Sequence, residues 1–196
     1  MARWQPDGRR RLQDAALELY GERGFAEVTA AAVAERAGLT ERTFFRHFAD
    51  KKEILFGDED AIASVLVDAV SAAPLSASPV EAVLAGVVAL SESAAGRRDR
   101  MLKRDRIIEQ SAELRERELA KFAAWSVALA ECLRERGVLE PELIAEVSVA
   151  TFRMVFRRWL DAPHPDPLAS AMREAFAAIE TFLHNPGESR SQTHRM

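Results

Sequence analysis

Apolar residues recur at three- and four-residue intervals along most of this chain, and β-branched runs are scarce, a pattern that predicts helices nearly throughout. The first predicted helix spans about Gly8 to Arg23, with Leu12, Ala15, Ala16 and Leu19 as its buried stripe, Asp7 as its N-cap and Gly24 as its stop. Two short helices follow, Thr29 to about Arg36 and Thr40 to about His47, each opening on a Thr N-cap. Ala37-Gly38-Leu39 lies between them, and Gly38 supplies the left-handed conformation that ends a helix cheaply. Val33 and Ala37 give the first a buried edge; Phe44 and Phe48, four apart, dock the second inward. Asp50 and Glu53 have capping-box spacing, which predicts one long helix from there to Pro74 through Ile54, Leu55, Ile62, Leu66 and Val70.

Residues 74–79 form the clearest break. Ser78, Pro79 and Glu81 then supply N-cap, N1 proline and N3 acid for a helix ending by Gly96. A cation run from Arg97 to Arg106 reads as a solvated helix face in preference to a second nucleic-acid site, with Asp99, Asp105 and Glu109 spaced to pair along the same helix. A long helix from Ala112 to about Arg136 turns Leu119, Phe122, Trp125, Ser126, Leu129 and Leu133 inward. The last two helices, about 141–160 and 167–184, each begin with Pro after an acid, Glu140 and Asp166, read as N-caps. The first of them is apolar almost all round: Leu143, Val147, Ala150 and Met154 form one stripe, and Val149, Phe152, Phe156 and Leu160 form another. A helix with two apolar faces needs cover on both sides, so a second copy of the chain is the expected cover for one of them. The predicted interface is Val149, Phe152, Phe156 and Leu160 with Met172, Phe176, Ile179 and Leu183. Residues 185–196 are polar and expected to be a disordered tail. The fold class expected is all-α, about nine helices.

Two short helices joined by a tight Gly turn make a helix-turn-helix, whose second helix enters the DNA major groove in DNA-binding proteins. The second helix suits that role: Thr40, Glu41, Arg42, Thr43, Arg46 and His47 are polar, and Arg can grip guanine with two hydrogen bonds. The net charge of −4 is unusual for a DNA binder, but residues 1–56 hold ten Lys and Arg against nine Asp and Glu, so the excess acid lies beyond them. Placement of cations therefore matters more than their sum. Arg9, Arg10 and Arg11 read equally as DNA backbone or minor-groove contacts and as a solvated basic turn.

The stretch from Phe25 to Glu53 resembles the TetR family of bacterial transcriptional regulators. The matching residues are Phe25, Thr29, Val33-Ala34, Ala37-Gly38-Leu39-Thr40, Thr43-Phe44-Phe45, His47-Phe48, Lys51 and Glu53. Where many members carry Tyr-Tyr before the His, this chain has Phe45-Arg46, losing a phenol and gaining a cation. The resemblance implies phosphate contacts from Thr29, Thr43, His47 and Lys51, base reading by Thr40, Glu41, Arg42 and Arg46, and Phe45 on the same DNA-binding surface. It implies a DNA-binding domain over 1–56, a ligand-binding and dimerisation domain over 57–184, and a homodimer that leaves a near-palindromic double-stranded operator when a small molecule binds. The cation-run helix would relay ligand occupancy to the helix that follows the head. Met101, Phe122, Trp125, Met154 and Trp159 are the expected pocket wall, although a Met and aromatic stripe is also what plain core looks like.

Enzyme chemistry finds little support: the nine glycines form no phosphate loop, the four His are scattered, and the single Cys132 permits neither internal disulfide nor a metal-ligand spacing. No cofactor and no metal are expected, and the absence of a signal-like or membrane-length apolar run predicts a cytoplasmic protein. The rival reading is a helical partner-binding or architectural protein that does not read DNA sequence.

Overall fold

A computed structural model describes residues 8–57, 59–94 and 96–184, with side chains for all but 59–61 and 182–184. Ten helices are present among them: α1 (Gly8–Arg23), α2 (Ala30–Arg36), α3 (Glu41–His47), α4 (Glu53–Phe56), α5 (Glu59–Ala72), α6 (Pro79–Ser93), α7 (Arg98–Glu109), α8 (Ala112–Glu135), α9 (Pro141–Asp161) and α10 (Leu168–His184). They divide into two compact units, one of residues 1–61 with 97–123 and one of residues 62–96 with 124–196. The expected caps Asp7 and the tail from Asn185 lie outside the described residues.

Local chemistry sets most helix ends in the first unit. Thr29 Oγ1 accepts the Ala32 amide at 3.1 Å, and Thr40 Oγ1 accepts the Thr43 amide at 3.2 Å, so both short helices start where their hydroxyls cap them. Gly38, at φ 64°, closes α2 as its amide bonds Glu35 O and the Leu39 amide bonds Ala34 O. The shared core gathers Leu12, Tyr20, Val33, Phe44, Phe48 and Phe56 with Ile107, Ile108 and Leu114 from α7 and α8. The cation run is thus one face of a helix whose other face completes this core.

The long helix expected from Asp50 is broken in two. Asp50 Oδ1 does accept the Lys52 and Glu53 amides, at 2.8 and 3.0 Å, but α4 ends after four residues. Arg9 donates to Gly57 O and packs its guanidinium over the Phe48 ring at 4.6 Å. A Cβ on Gly57 would sit 3.0 Å from Glu53 O and 3.1 Å from Phe48 Cε1, tighter than most such contacts, so a larger residue would make its neighbours give way by a few tenths of an ångström. The break accounts for the tenth helix.

In the second unit, α6 opens with a full capping box: Ser78 Oγ accepts the Glu81 amide at 3.2 Å, and Glu81 Oε2 accepts the Ser78 amide at 2.7 Å. Helix α10 packs on α6 and α9, and their buried faces meet through Val83, Val87, Leu90, Ala145, Val149, Leu160, Leu168, Met172 and Phe176. Cys132 is buried there, with its Sγ 3.2 Å from Ser71 Oγ. Two expectations fail locally. Glu140 caps nothing: it stands in the left-handed region at φ 54° with no side-chain cap bond. Leu119 is exposed, because the inward stripe at the start of α8 runs through Leu114, Glu118, Lys121 and Phe122 and rotates it outward.

Candidate DNA interface and effector site

Helix α3 buries Phe44 and is flanked by buried Phe48, so its opposite side is free to face a partner. Arg42, Phe45 and Arg46, spaced i, i+3 and i+4, share that side and are all exposed, as are Thr40 and Glu41 at its start. Arg42 and Arg46 make no hydrogen bond or ion pair among the described residues. Thr29 Oγ1 accepts a capping bond, which leaves its hydroxyl hydrogen able to donate outward; Thr40 Oγ1 also accepts a capping bond and shares a 3.0 Å hydrogen bond with Oγ1 of the half-buried Thr43.

Several other cations of the head are engaged internally. Arg9 Nη1 donates to His47 O at 3.2 Å and its other amino group to Gly57 O, tying the end of α3 to the end of α4. Arg11 donates to Ala37 O at the end of α2. Arg36 pairs with Glu18 and Glu22 at 3.2 and 3.3 Å. Arg10, with Asp14 at 3.9 Å, stays largely in solvent. Two of the three arginines at the start of α1 are therefore helix clamps, and the structure gives the Lys51 phosphate contact an alternative. Lys51 Nζ donates to Phe25 O, Ala26 O and Val28 O at 2.9, 3.2 and 3.2 Å and stands 4.4 Å from the Phe25 ring centre. An ammonium has three N–H bonds, and all three are occupied here. The half-buried His47 has its pKa held below the usual range, first by burial and then by the charges of Arg46 and Arg9.

Behind α3, the first unit holds a charged cluster that sequence patterning missed. Arg104 stacks on the Phe56 ring at 4.7 Å, donates its Nε to Leu55 O at 2.7 Å, and pairs with Glu118 at 2.9 Å. Arg117 grips Glu53 at 3.0 and 3.4 Å, and the buried Lys121 pairs with Glu118 at 3.2 Å. Burial alone would push the Glu118 carboxyl up; Lys121 and Arg104 hold it below the usual carboxylate range. Arg100 pairs with Asp14 on α1. Cross-helix pairs thus tie α7 to its neighbours: Arg100 reaches Asp14 on α1, and Arg104 reaches Leu55 O on α4 and Glu118 on α8.

The expected pocket-wall residues are divided between the two units. Met101 and Phe122 belong to the first unit, where Lys121 Nζ stands over the Phe122 ring at 4.2 Å; Trp125, Met154 and Trp159 belong to the second. Met154 is 61% exposed on the surface of the single chain. Trp125 does line an apolar slot with Leu66, Val83, Val87, Leu90, Leu129, Ser148, Val149 and Phe152, whose free space is about one water molecule. An aromatic row leads from it: Trp125 to Phe152 at 5.9 Å, Phe152 stacked on Phe156 at 5.6 Å, and Phe156 to Trp159 at 6.0 Å. Trp159 ends outside the slot with its Nε1 donating to Asp166 O at 3.1 Å. Leu66, Val83 and Leu90 were not legible as pocket residues, because α5 and α6 present only ordinary apolar stripes.

The family model described as "Bacterial regulatory proteins, tetR family" matches residues 12–57, and one described as "MftR C-terminal domain" matches residues 77–184, more than half the chain. The chain belongs to the TetR family of regulators. A relative described as "Putative mycofactocin biosynthesis transcriptional regulator MftR", from Mycobacterium tuberculosis (strain ATCC 25618 / H37Rv), is 26% identical over 187 residues, 90% of this chain and 94% of its own. Among solved structures, FadR of Thermus thermophilus, a repressor in complex with lauroyl-CoA, is 25% identical with a TM-score of 0.57, over 89% of this chain and 93% of that one. SmeT of Stenotrophomonas maltophilia in complex with triclosan is 21% identical with a TM-score of 0.61, over 87% of this chain and 90% of that one, a likeness of fold. The protein is an all-α, DNA-binding, ligand-responsive transcriptional regulator. TetR-family proteins dimerise and bind DNA operators and small molecules, and they are regulators as a class. No single helix among the described residues is long and apolar enough to cross a membrane.

For a TetR-family dimer the predicted interface residues need revision. Val149, Leu160, Met172 and Phe176 are buried within the single chain, packed where α9 and α10 meet the rest of their own unit, so a partner cannot reach them. Phe152, Phe156 and Ile179 are half-buried, and the side chain of Leu183 lies outside those described. The open apolar face of α9 is the other stripe: Leu143, Val147, Ala150 and Met154.

Proposed function

We propose that this protein is a homodimeric, cytoplasmic repressor that binds a near-palindromic operator through α3 and leaves it when a small, largely apolar molecule enters the second unit; it performs no catalysis. In this reading residues 1–56 form the DNA-binding domain, and 57–184 form the ligand-binding and dimerisation domain, with α7 and the start of α8 buttressing the head. The observation that carries it is the side of α3 bearing Arg42, Phe45 and Arg46, whose two guanidiniums have no hydrogen-bond or ion-pair partner among the described residues while the neighbouring Arg9, Arg11, Arg36 and Lys51 are all engaged. Thr29, Thr40, Thr43 and His47 border that surface as phosphate or base-edge contacts, and Glu41 stands at its rim.

The effector site is the slot beside Trp125. Its lining is apolar but for Ser148, and its own side chains nearly fill it, so a ligand must spread them and thereby favour a different arrangement of the unit. Triclosan, bound to SmeT, is largely apolar, and lauroyl-CoA, bound to FadR, carries an apolar acyl chain on a polar, anionic carrier; the apolar parts agree with such a lining.

Operator selection from random DNA, followed by fluorescence anisotropy, tests the reading. Arg42→Ala or Arg46→Ala should each cost on the order of 1–3 kcal/mol per contact and relax preference at a defined position in each half-site. Wild-type protein that binds every duplex alike would instead support the partner-binding or architectural alternative.

A further inference from the structure

Phe45 is the anomaly of the DNA-facing surface. It is 52% exposed on a helix of seven residues, with Arg42 three positions before it and Arg46 next to it on the same side. Its ring meets the fully buried Phe44 edge to face, with centroids 5.3 Å apart and planes at 74°, so the core props it outward at a fixed orientation. It carries no polar atom with which to bond phosphate. A surface complementary to this side of α3 must therefore offer negative acceptors to two guanidiniums and an apolar group to the ring between them. The floor of the DNA major groove offers both: guanine presents two acceptors, and the thymine C5-methyl is the apolar group exposed there.

We infer that Phe45 reads thymine, packing its ring on the C5-methyl of one thymine in each half-site, beside bases read by Arg42 and Arg46. The inference rests on the proposed entry of α3 into the major groove. It makes Phe45 a specificity-determining residue, acting by apolar contact alone. The loss of a phenol at this position thus replaces a polar contact by a methyl-sensitive one.

The test uses the full-length protein and its selected operator, with each thymine replaced in turn by deoxyuridine, which removes only the methyl. At one position per half-site, uracil should weaken wild-type binding roughly fourfold, the contribution of one buried methyl group. The same replacement should cost Phe45→Ala nothing, while Phe45→Leu, which keeps an apolar side chain, should retain part of the penalty. Circular dichroism should show both variants fully folded at the assay temperature, since about half of the ring is in solvent and the rest makes one edge-to-face contact with Phe44. A uracil scan that is silent for wild type, or a penalty that persists undiminished in Phe45→Ala, overturns the inference. If that happens while Arg42→Ala still changes base preference, the groove assignment stands and only the role of Phe45 falls. If no operator can be selected at all, both fall.

Discussion

His47 shows how much of this interface is decided one residue at a time. Its ring sits in the last turn of α3, with Nε2 only 3.6 Å from where a Cβ on Gly8 would lie, and its carbonyl is held by Arg9. Burial, Arg46 and Arg9 all oppose its protonation, so the free protein holds it neutral below the usual histidine range. A phosphate placed against the ring reverses that balance. Operator binding should then take up a proton, and affinity should rise as pH falls into and through the ordinary histidine range. The sign for folding is opposite. The unfolded chain protonates His47 first, so the free fold loses stability as pH drops through the ordinary histidine range. Anisotropy titrations across this range should show the tightening, and His47→Gln should flatten it; a slope unchanged in that variant would assign the proton elsewhere. Residues of this kind divide by reach in how legible they were. Thr29, Thr40 and Ser78 act on amides three residues away, so their spacing revealed them. Arg9 acts across 38 and 48 residues and Lys51 across 23 to 26, distances at which spacing carries no information.

At the level of elements, α4 is the piece whose behaviour depends most on distant partners. Helical pattern alone continued it to Pro74. Its termination at Gly57 depends on Arg9 and Phe48, and its position depends on Arg104 and Arg117 from α7 and α8. Its start is fixed by Lys51, whose ammonium holds the loop between α1 and α2, while the Tyr20 hydroxyl donates to the Lys51 carbonyl at 2.8 Å. Burial, then the nearby Asp50 charge, pushes the Tyr20 phenol well above its usual range, so that donor persists at any ordinary pH. Lys51→Ala strips three carbonyls of a charged donor. It should cost about 1–3 kcal/mol of stability in chemical denaturation and weaken DNA binding through a loosened α2. The salt dependence of binding should keep its slope, because no phosphate contact is lost. A slope reduced by about one unit with stability intact would return Lys51 to the phosphate-contact role that the family resemblance implies.

For the whole molecule, the unanswered part of the fold is which apolar face meets a second copy. The pattern along 141–184 correctly marks two apolar faces on α9, but two stripes of equal hydrophobicity do not say which one the chain covers itself. That choice is made by the packing of α6, α9 and α10 on one another, which buries Val149, Leu160, Met172 and Phe176 and leaves Leu143, Val147, Ala150 and Met154 outside. Met154 at 61% exposure and Leu143 at 60% are large apolar groups facing water on one helix side, a costly arrangement unless a partner removes them from it. The homodimer should therefore close on this stripe, flanked by the half-buried Phe152, Phe156 and Ile179 and by the exposed Ala177 and Ala178 of α10, whose small size allows close helix approach. Val147→Glu combined with Met154→Glu should give a folded monomer by light scattering, with helical circular dichroism retained and operator affinity lost, because two half-sites need two heads. Phe176→Glu makes the contrast: it places a carboxylate in a 2% exposed core position and should unfold the second unit instead. A double variant that stays dimeric moves the interface off this face of α9, and a Phe176→Glu protein that is monomeric yet fully folded returns it to the stripe read first from the sequence.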